Sequence, residues 1–271
     1  AVKAFMATGL KIHAVPVDDQ GIAPEPVDES TPPKLIYVTP SHQYPTGAVM
    51  SLARRHQLLD IARRHGAWVL EDDYDSEFRF TGPPLSSLAG LDKDERVLYL
   101  GSFSKVLYPG LKLGYLVIPK KLGGPFKQAH YDLNRPGQMP LQAALAEFIE
   151  MGHFASALRR ARQSYAERRR TLLAALKPCL GSCAHISGAE QGLHLCLHLP
   201  NEVNDQALAA RIGELGMIVR PLSAYCLERK DAKGLVIGYG YAPLEDIARY
   251  GPLLAHAIDS HLTRPGKTSK R

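Results

Sequence analysis

The sequence predicts an α/β fold in two parts: a three-layer, mostly parallel sheet over residues 1–157 and a smaller α+β lobe over residues 158–271. Three observations carry that expectation. Short, β-branched apolar runs recur through the first half, each too brief for a helix and separated from the next by helix-length segments. A rough helical spacing from Leu141 to Leu176 then marks a change of character. Beyond it, strands and helices follow one another as they do in small α+β units.

The elements follow in order. Ala1 to Ala7 reads as a helix that Gly9 ends, Lys11 to Val17 alternates like a strand, and Asp18-Asp-Gln-Gly21 turns. Leu35-Ile-Tyr-Val38 is a buried strand. Ser51 is an N-cap for a helix through His65, and Gly66 ends it. Strands are expected at Trp68-Val-Leu70, Arg96 to Leu100 and Gly114 to Ile118, with a Gly/Pro-rich loop near 81–90. Two consecutive helices cover Leu141 to Leu176, broken near Gly152-His153. Then come a strand at Gly192–Leu199, a helix at Asp205–Leu215, strands at Met217–Val219 and Leu235–Ile237, and a closing helix at Leu244–Leu262. Arg264 to Arg271 has no apolar anchor and reads as a frayed tail.

Composition narrows the functions. With 271 residues, 45% apolar and 22% charged, the chain can bury a sizeable core, which excludes disorder and collagen. A net charge of +6 over such a surface does not by itself imply nucleic acid. No apolar run is long enough to cross a bilayer and no secretory leader opens the chain, so a cytoplasmic protein without membrane contact is expected. Cysteines 179, 183, 196 and 226 match neither a zinc site nor a disulfide framework and read as small buried hydrophobes.

Lys105 is the leading candidate for chemistry. It follows a strand in Gly101-Ser-Phe-Ser-Lys105 and precedes Pro109-Gly-Leu-Lys-Leu-Gly114. Upstream, Glu71-Asp-Asp-Tyr74 gathers carboxylates where an apolar strand meets its loop. Acids in such a place are costly if buried and unpaired, so they call for a cation or a ligand.

These segments, with Tyr37-Val-Thr-Pro-Ser-His-Gln-Tyr-Pro-Thr-Gly47 and Leu70-Glu-Asp-Asp-Tyr-Asp-Ser-Glu-Phe78, resemble pyridoxal-phosphate-dependent transferases of the aspartate-aminotransferase (class I/II) fold. More narrowly, they resemble the MocR branch of GntR-type transcriptional regulators. Weaker likeness runs through Arg159-Arg160 and Tyr165 to Arg169, up to Arg220-Pro-Leu-Ser-Ala-Tyr225. The resemblance implies that Lys105 joins the aldehyde of pyridoxal 5′-phosphate through a Schiff base, for which its amine must shed a proton. It implies that Asp72 pairs with the pyridine nitrogen, that Tyr74 bonds the ring's phenolic oxygen, and that Ser102, with Ser104 as a weaker candidate, binds phosphate. Asp73 points the other way on an extended backbone and is read as a solvent or structural carboxylate.

Two departures qualify the likeness. Lys112 stands where the family usually has an arginine, giving a point charge for the phosphate but no bidentate fork. Transaminases of this fold place a substrate-carboxylate arginine in the strand that here reads Gly234 to Tyr239, at about Val236. No arginine lies there, and Arg220 is the speculative substitute. Tyr44 also replaces the usual asparagine before Pro-Thr-Gly.

The family's glycine-rich phosphate loop, its ring-stacking aromatic residue and the regulators' winged-helix DNA-binding domain would all lie before Ala1, so a piece of a longer protein is expected. The resemblance thus implies an effector domain that binds pyridoxal phosphate, senses a small-molecule amine or amino acid, dimerises with a second copy, and meets DNA only through that missing domain. The rivals are a working aminotransferase and a truncated fragment without function. His42 is read as a cofactor-lining or turn-stabilising residue, His185, His194 and His198 are given no metal role, and the arginines of 159–170 are read as a solvated or subunit-facing helix face.

Overall fold

The computed structural model describes residues 1–24, 27–28, 30–135, 137–179 and 184–263. Its apolar runs assemble into two four-stranded sheets, one per lobe.

The first lobe begins with α1 (Val2–Ala7) and a hairpin of β1 (Val17–Asp18) and β2 (Gly21–Ile22). The strand expected over Lys11–Val17 forms only at its last residue, because nothing pairs with Lys11–Pro16 among the described residues. An alternating pattern without a ladder partner stays irregular. Then follow β3 (Leu35–Val38), α2 (Leu52–His65), β4 (Trp68–Asp73), α3 (Leu88–Leu91), β5 (Val97–Ser102) and β6 (Gly114–Val117). Ser51 caps α2 by accepting from the Arg54 N–H, and Gly66 closes it in the left-handed conformation at φ 65°.

The strand order is β3-β4-β5-β6, the first three parallel and β6 antiparallel. Helices α2 and α3 pack on this sheet over a core that includes Leu58, Ala62, Val69, Leu88 and Val97. On the far edge, β6 is exposed throughout, including Tyr115, Leu116 and Val117.

Helices α4 (Gly123–Asn134) and α5 (Met139–Glu150) bury none of their residues, and α4 escapes the sequence pattern because it has no apolar stripe against a core. The next helix, α6 (His153–Leu176), is continuous across residues 157 and 158, so the expected lobe boundary falls inside it.

The second lobe contains β7 (His185–Ser187), β8 (His194–Leu199), α7 (Asp205–Glu214), β9 (Arg220–Pro221), β10 (Lys233–Gly238) and α8 (Leu244–Leu262). All pairings in its sheet, β7-β8-β10-β9, are antiparallel. The strand expected at Met217–Val219 is displaced: Met217 N–H still bonds the Ile212 carbonyl at the end of α7, and pairing starts only at Arg220. Helices α6 and α8 cover one face through Leu172, Leu176, Leu254 and Ile258. They approach so closely at Gly251 that a Cβ there would lie 2.7 Å from the Ala175 side chain.

Cys196 is buried and Cys226 half-buried, both free; Cys183, the Cys179 side chain and the tail at 264–271 lie outside the described residues.

Candidate functional site

Parallel strands put their carboxyl ends on one side of the sheet, and that side collects the residues singled out above. Asp72 and Asp73 stand opposite Leu100 and Gly101 in the β4–β5 register, so the acid cluster lies beside the turn that carries Ser102, Ser104 and Lys105. The pleat then separates the acids. Glu71 and Asp73 are buried on one face, while Asp72 is half-buried on the other.

Each acid has its own partners. Glu71 accepts from the Leu88 and Ala89 N–H groups, both at 2.9 Å, and lies 3.9 Å from Arg55. Asp73 accepts from Ser76 Oγ at 2.7 Å and Tyr99 Oη at 2.6 Å, which makes it a structural carboxylate rather than a solvated one. Asp72 accepts from Tyr37 Oη at 2.6 Å through Oδ2 only. Burial, with the charge of Asp73, holds the Asp72 carboxyl above the ordinary range, against the pull of Tyr37. A cation delivered to Oδ1 would stabilise the ionised form.

The turn after β5 is held by Ser102, whose Oγ accepts the Ser104 N–H at 3.1 Å and keeps its own proton free to donate. Ser104 thereby spends its backbone N–H inside the turn. Lys105 and Lys112 are both exposed, Lys112 in the left-handed conformation at φ 53° just before β6, where Gly114 pairs with Ser102. Tyr74 departs from the expectation of a free phenol: its hydroxyl donates to the His42 carbonyl at 2.8 Å.

The loop 39–50 closes the site from above and meets the second lobe. His42 Nδ1 lies 2.9 Å from Asp75 Oδ2, and the His194 ring, from β8, packs 4.5 Å from the His42 ring. His194 Nε2 donates to the Pro45 carbonyl at 3.1 Å. Ligand atoms of His42, Asp75 and His194 lie within 4.8 Å of one another, all three residues buried. The sequence singled out two of these histidines separately and joined neither to Asp75, because they stand far apart in the chain. Gly47 and Gly188 touch so closely below this cluster that a Cβ on either would collide with the other, and both adopt positive φ.

Burial, reinforced by His42 and Lys105, pushes the His194 imidazole down to about 3. An unfolded histidine titrates near 6.5, so below that pH the unfolded chain takes up a proton that the folded chain refuses. Stability contributed by neutral His194 is therefore lost as pH falls from 6.5 toward 3, by about 2 kcal/mol between pH 6.5 and 5. Urea denaturation at pH 7 and pH 5 is expected to show a smaller pH dependence in His194→Gln than in the native chain by that amount. Equal dependences would mean that His194 is not held neutral.

Among the arginines of α6, Arg159, Arg160, Arg162 and Arg170 are exposed. Arg168 and Arg169 instead donate to the Gly240 and Ala189 carbonyls and lie over Tyr165 and Phe80, cementing the second lobe. Among the described residues, no helix is long and apolar enough to cross a membrane.

The comparison with known proteins can now be set beside this geometry. The family model of aminotransferase class I and II matches residues 5–231. The chain belongs to that family. A protein named probable rhizopine catabolism regulatory protein MocR, from Rhizobium meliloti, is 38% identical over 88% of this chain and 48% of its own length. The uncharacterized HTH-type transcriptional regulator YhdI of Bacillus subtilis is 35% identical over 90% of this chain and 52% of its own. This class I and II member thus spans about half the length of the curated relatives it matches. The α-aminoadipate aminotransferase LysN of Thermus thermophilus, solved with N-(5′-phosphopyridoxyl)-L-leucine, superposes with a TM-score of 0.84 at 27% identity, over 96% of this chain and 68% of that one.

Family and fold indicate pyridoxal phosphate, and the donor set of this chain fits it. Asp72 keeps an oxygen free for a protonated ring nitrogen, Lys105 offers an amine to the aldehyde, and the Ser102 hydroxyl and Lys112 offer a proton and a positive charge to the phosphate.

Proposed function

We propose that this chain is the pyridoxal-phosphate-binding, aminotransferase-like effector part of a MocR-type transcriptional regulator. The cofactor is held on Lys105 and the signal is a small amine or amino acid. DNA is met through a winged-helix domain outside this sequence, and the protein works in the cytoplasm as a homodimer. The observation that carries the reading is the convergence of Asp72 and Lys105 at the same ends of neighbouring parallel strands. Support for a regulator comes from the relatives at 35% and 38% identity, which bear regulators' names. The uncovered apolar residues of α4 and α5, Leu133 and Ile149 among them, support pairing with a second copy.

When bound, pyridoxal phosphate supplies an electron sink for chemistry at the carbon bearing the amine. The side chains of this protein do the rest. Asp72 holds the ring nitrogen's proton with Oδ1, while Tyr37 fixes the carboxylate plane through Oδ2. Ser102 and Lys112 hold the phosphate, with Ser104 shaping their turn. The Lys105 amine receives the aldehyde and can hold a proton at the reacting carbon. Val236 occupies the position expected for the substrate-carboxylate arginine, and it is buried among Cys196 and Leu222 with no donor to offer. A sensor tolerates that loss because it need only occupy and shift between states.

The cofactor-loaded protein is therefore expected to turn over common amino acids with 2-oxoglutarate well below about 1 s⁻¹, the low end of the ordinary enzymatic range. Steady-state turnover above that rate would favour a working aminotransferase, the reading that the likeness to LysN supports.

A further inference from the structure

We propose that Arg220, together with the hydroxyls of Tyr225 and Tyr44, forms an anion subsite in the cleft between the two lobes, and that the ligand is an amine carrying a carboxylate or another oxyanion. The inference rests on the reading of Lys105 as the amine-handling centre.

The sheet register supplies the first argument. Val236 on β10 pairs with Arg220 on β9 and with Cys196 on β8, so the three form one row across the sheet. Directly paired residues of antiparallel strands project from the same face. That face is the one opposite α6 and α8, since Val236 packs with Cys196, Leu222 and Tyr225, whereas Leu235 and Ile237 enter the helix-covered core. A guanidinium missing at Val236 is thus replaced by one that starts a single strand away, about 4.8 Å. Arg220 is exposed and has no carboxylate partner among the described residues, unlike Arg229, which is paired with Asp231.

The second argument is what Arg220 faces. Tyr44 Oη and Tyr225 Oη lie 2.9 Å apart, with their rings edge to face at 5.3 Å, joining the 39–50 loop to the second lobe. Burial raises the acidity constant of the Tyr44 phenol above its usual value, and the positive charge of Arg220 opposes that shift, which places the guanidinium within electrostatic reach of the pair. Both phenols keep their protons at neutral pH. Since one donates to the other, one O–H remains free. A guanidinium fork and a phenolic donor complement an oxyanion such as a carboxylate or sulfonate.

Continuity with the amine centre completes the case. The Tyr44 ring lies 5.2 Å from the His194 ring, and His194 feels the charge of Lys105. One open cleft therefore offers an amine-handling end at Lys105 and an anion-handling end at Arg220. Because the anion is displaced by a strand from the position used by transaminases, a ligand can be read by charge without being aligned for rapid turnover.

The test titrates the cofactor-loaded protein with amines matched except for the anion: β-alanine and taurine against ethylamine, and 4-aminobutyrate against propylamine. Dissociation constants are read by calorimetry and by the shift of the cofactor's absorbance. At least one anionic amine is expected to bind about 30-fold more tightly than its neutral counterpart, the value of one charge-assisted pair. Arg220→Met is expected to bring that ratio close to one, Arg220→Lys to keep part of it, and Tyr225→Phe to reduce it a few-fold. A native ratio near one, or an undiminished ratio in Arg220→Met, would overturn the subsite while leaving the Lys105 reading intact. Failure of the protein to take up cofactor at all would overturn both.

Discussion

Lys105→Ala is expected to abolish covalent attachment of pyridoxal phosphate, seen as complete loss of the cofactor's visible absorbance band. The expectation rests on Lys105 being the amine in the turn that joins β5 to β6, beside the carboxylate row of β4. Borohydride reduction followed by peptide mapping should place the cofactor on Lys105 in the native chain; capture on another lysine would remove the basis of the site. Two further substitutions separate the adjacent acids. Asp72→Ala removes the carboxylate available to a protonated ring nitrogen, a loss of roughly 2 to 5 kcal/mol if the partner stays buried, or about 30- to several-thousand-fold in cofactor affinity. Asp73→Ala should leave cofactor affinity nearly unchanged but destabilise the fold, because it frees Tyr99 Oη and Ser76 Oγ from their acceptor. Equal losses of affinity in both variants would place the register of β4 one residue off.

The second large effect concerns Arg55, which is 2% exposed although charged. Its Nε donates to the Met50 carbonyl at 3.1 Å, Nη2 to Pro40 at 2.9 Å and Nη1 to Ser86 at 3.0 Å. Pro40 and Met50 are the two ends of the segment that carries His42 and Tyr44, so one guanidinium clamps the loop that closes the site. Glu71, wholly buried, faces it at 3.9 Å. Arg55→Met strips three carbonyls of their donor and leaves Glu71 without a countercharge, and breaking a buried pair in this way costs about 3 to 5 kcal/mol. The melting temperature should fall by roughly 6 to 20 °C. Adding Glu71→Gln to Arg55→Met should recover part of the loss, since the uncompensated charge is then removed. A single-variant loss below about 1 kcal/mol would show that water or another cation replaces the guanidinium.

Local signals were legible wherever the cause of an element lies within one turn of chain. The Ser51 cap and the Gly66 stop bound α2 as expected, and the apolar cores of β3, β4 and β5 lie inside the expected runs. The break between α5 and α6 falls where Gly152 adopts positive φ. The strand-Ser-x-Ser-Lys context and the acid cluster pointed to Lys105 and Asp72 because those residues are close in sequence to the strand ends that place them.

What tertiary structure alone decided depends on residues that meet only across strands or lobes. Lys11–Pro16 has a strand's alternation but no partner, whereas β7 was overlooked and forms because β8 accepts it. The union of His42 and Asp75 with His194, the clamp of Arg55 on Pro40, Met50 and Ser86, and the placing of Arg220 beside Val236 are set by packing and by strand register. The sequence by itself determined the elements and the residue types of the site, because helix caps and strand periodicity act over a few residues. The fold decided which of those side chains share a cleft, because cross-strand pairing and burial act between segments whose separation no local pattern records.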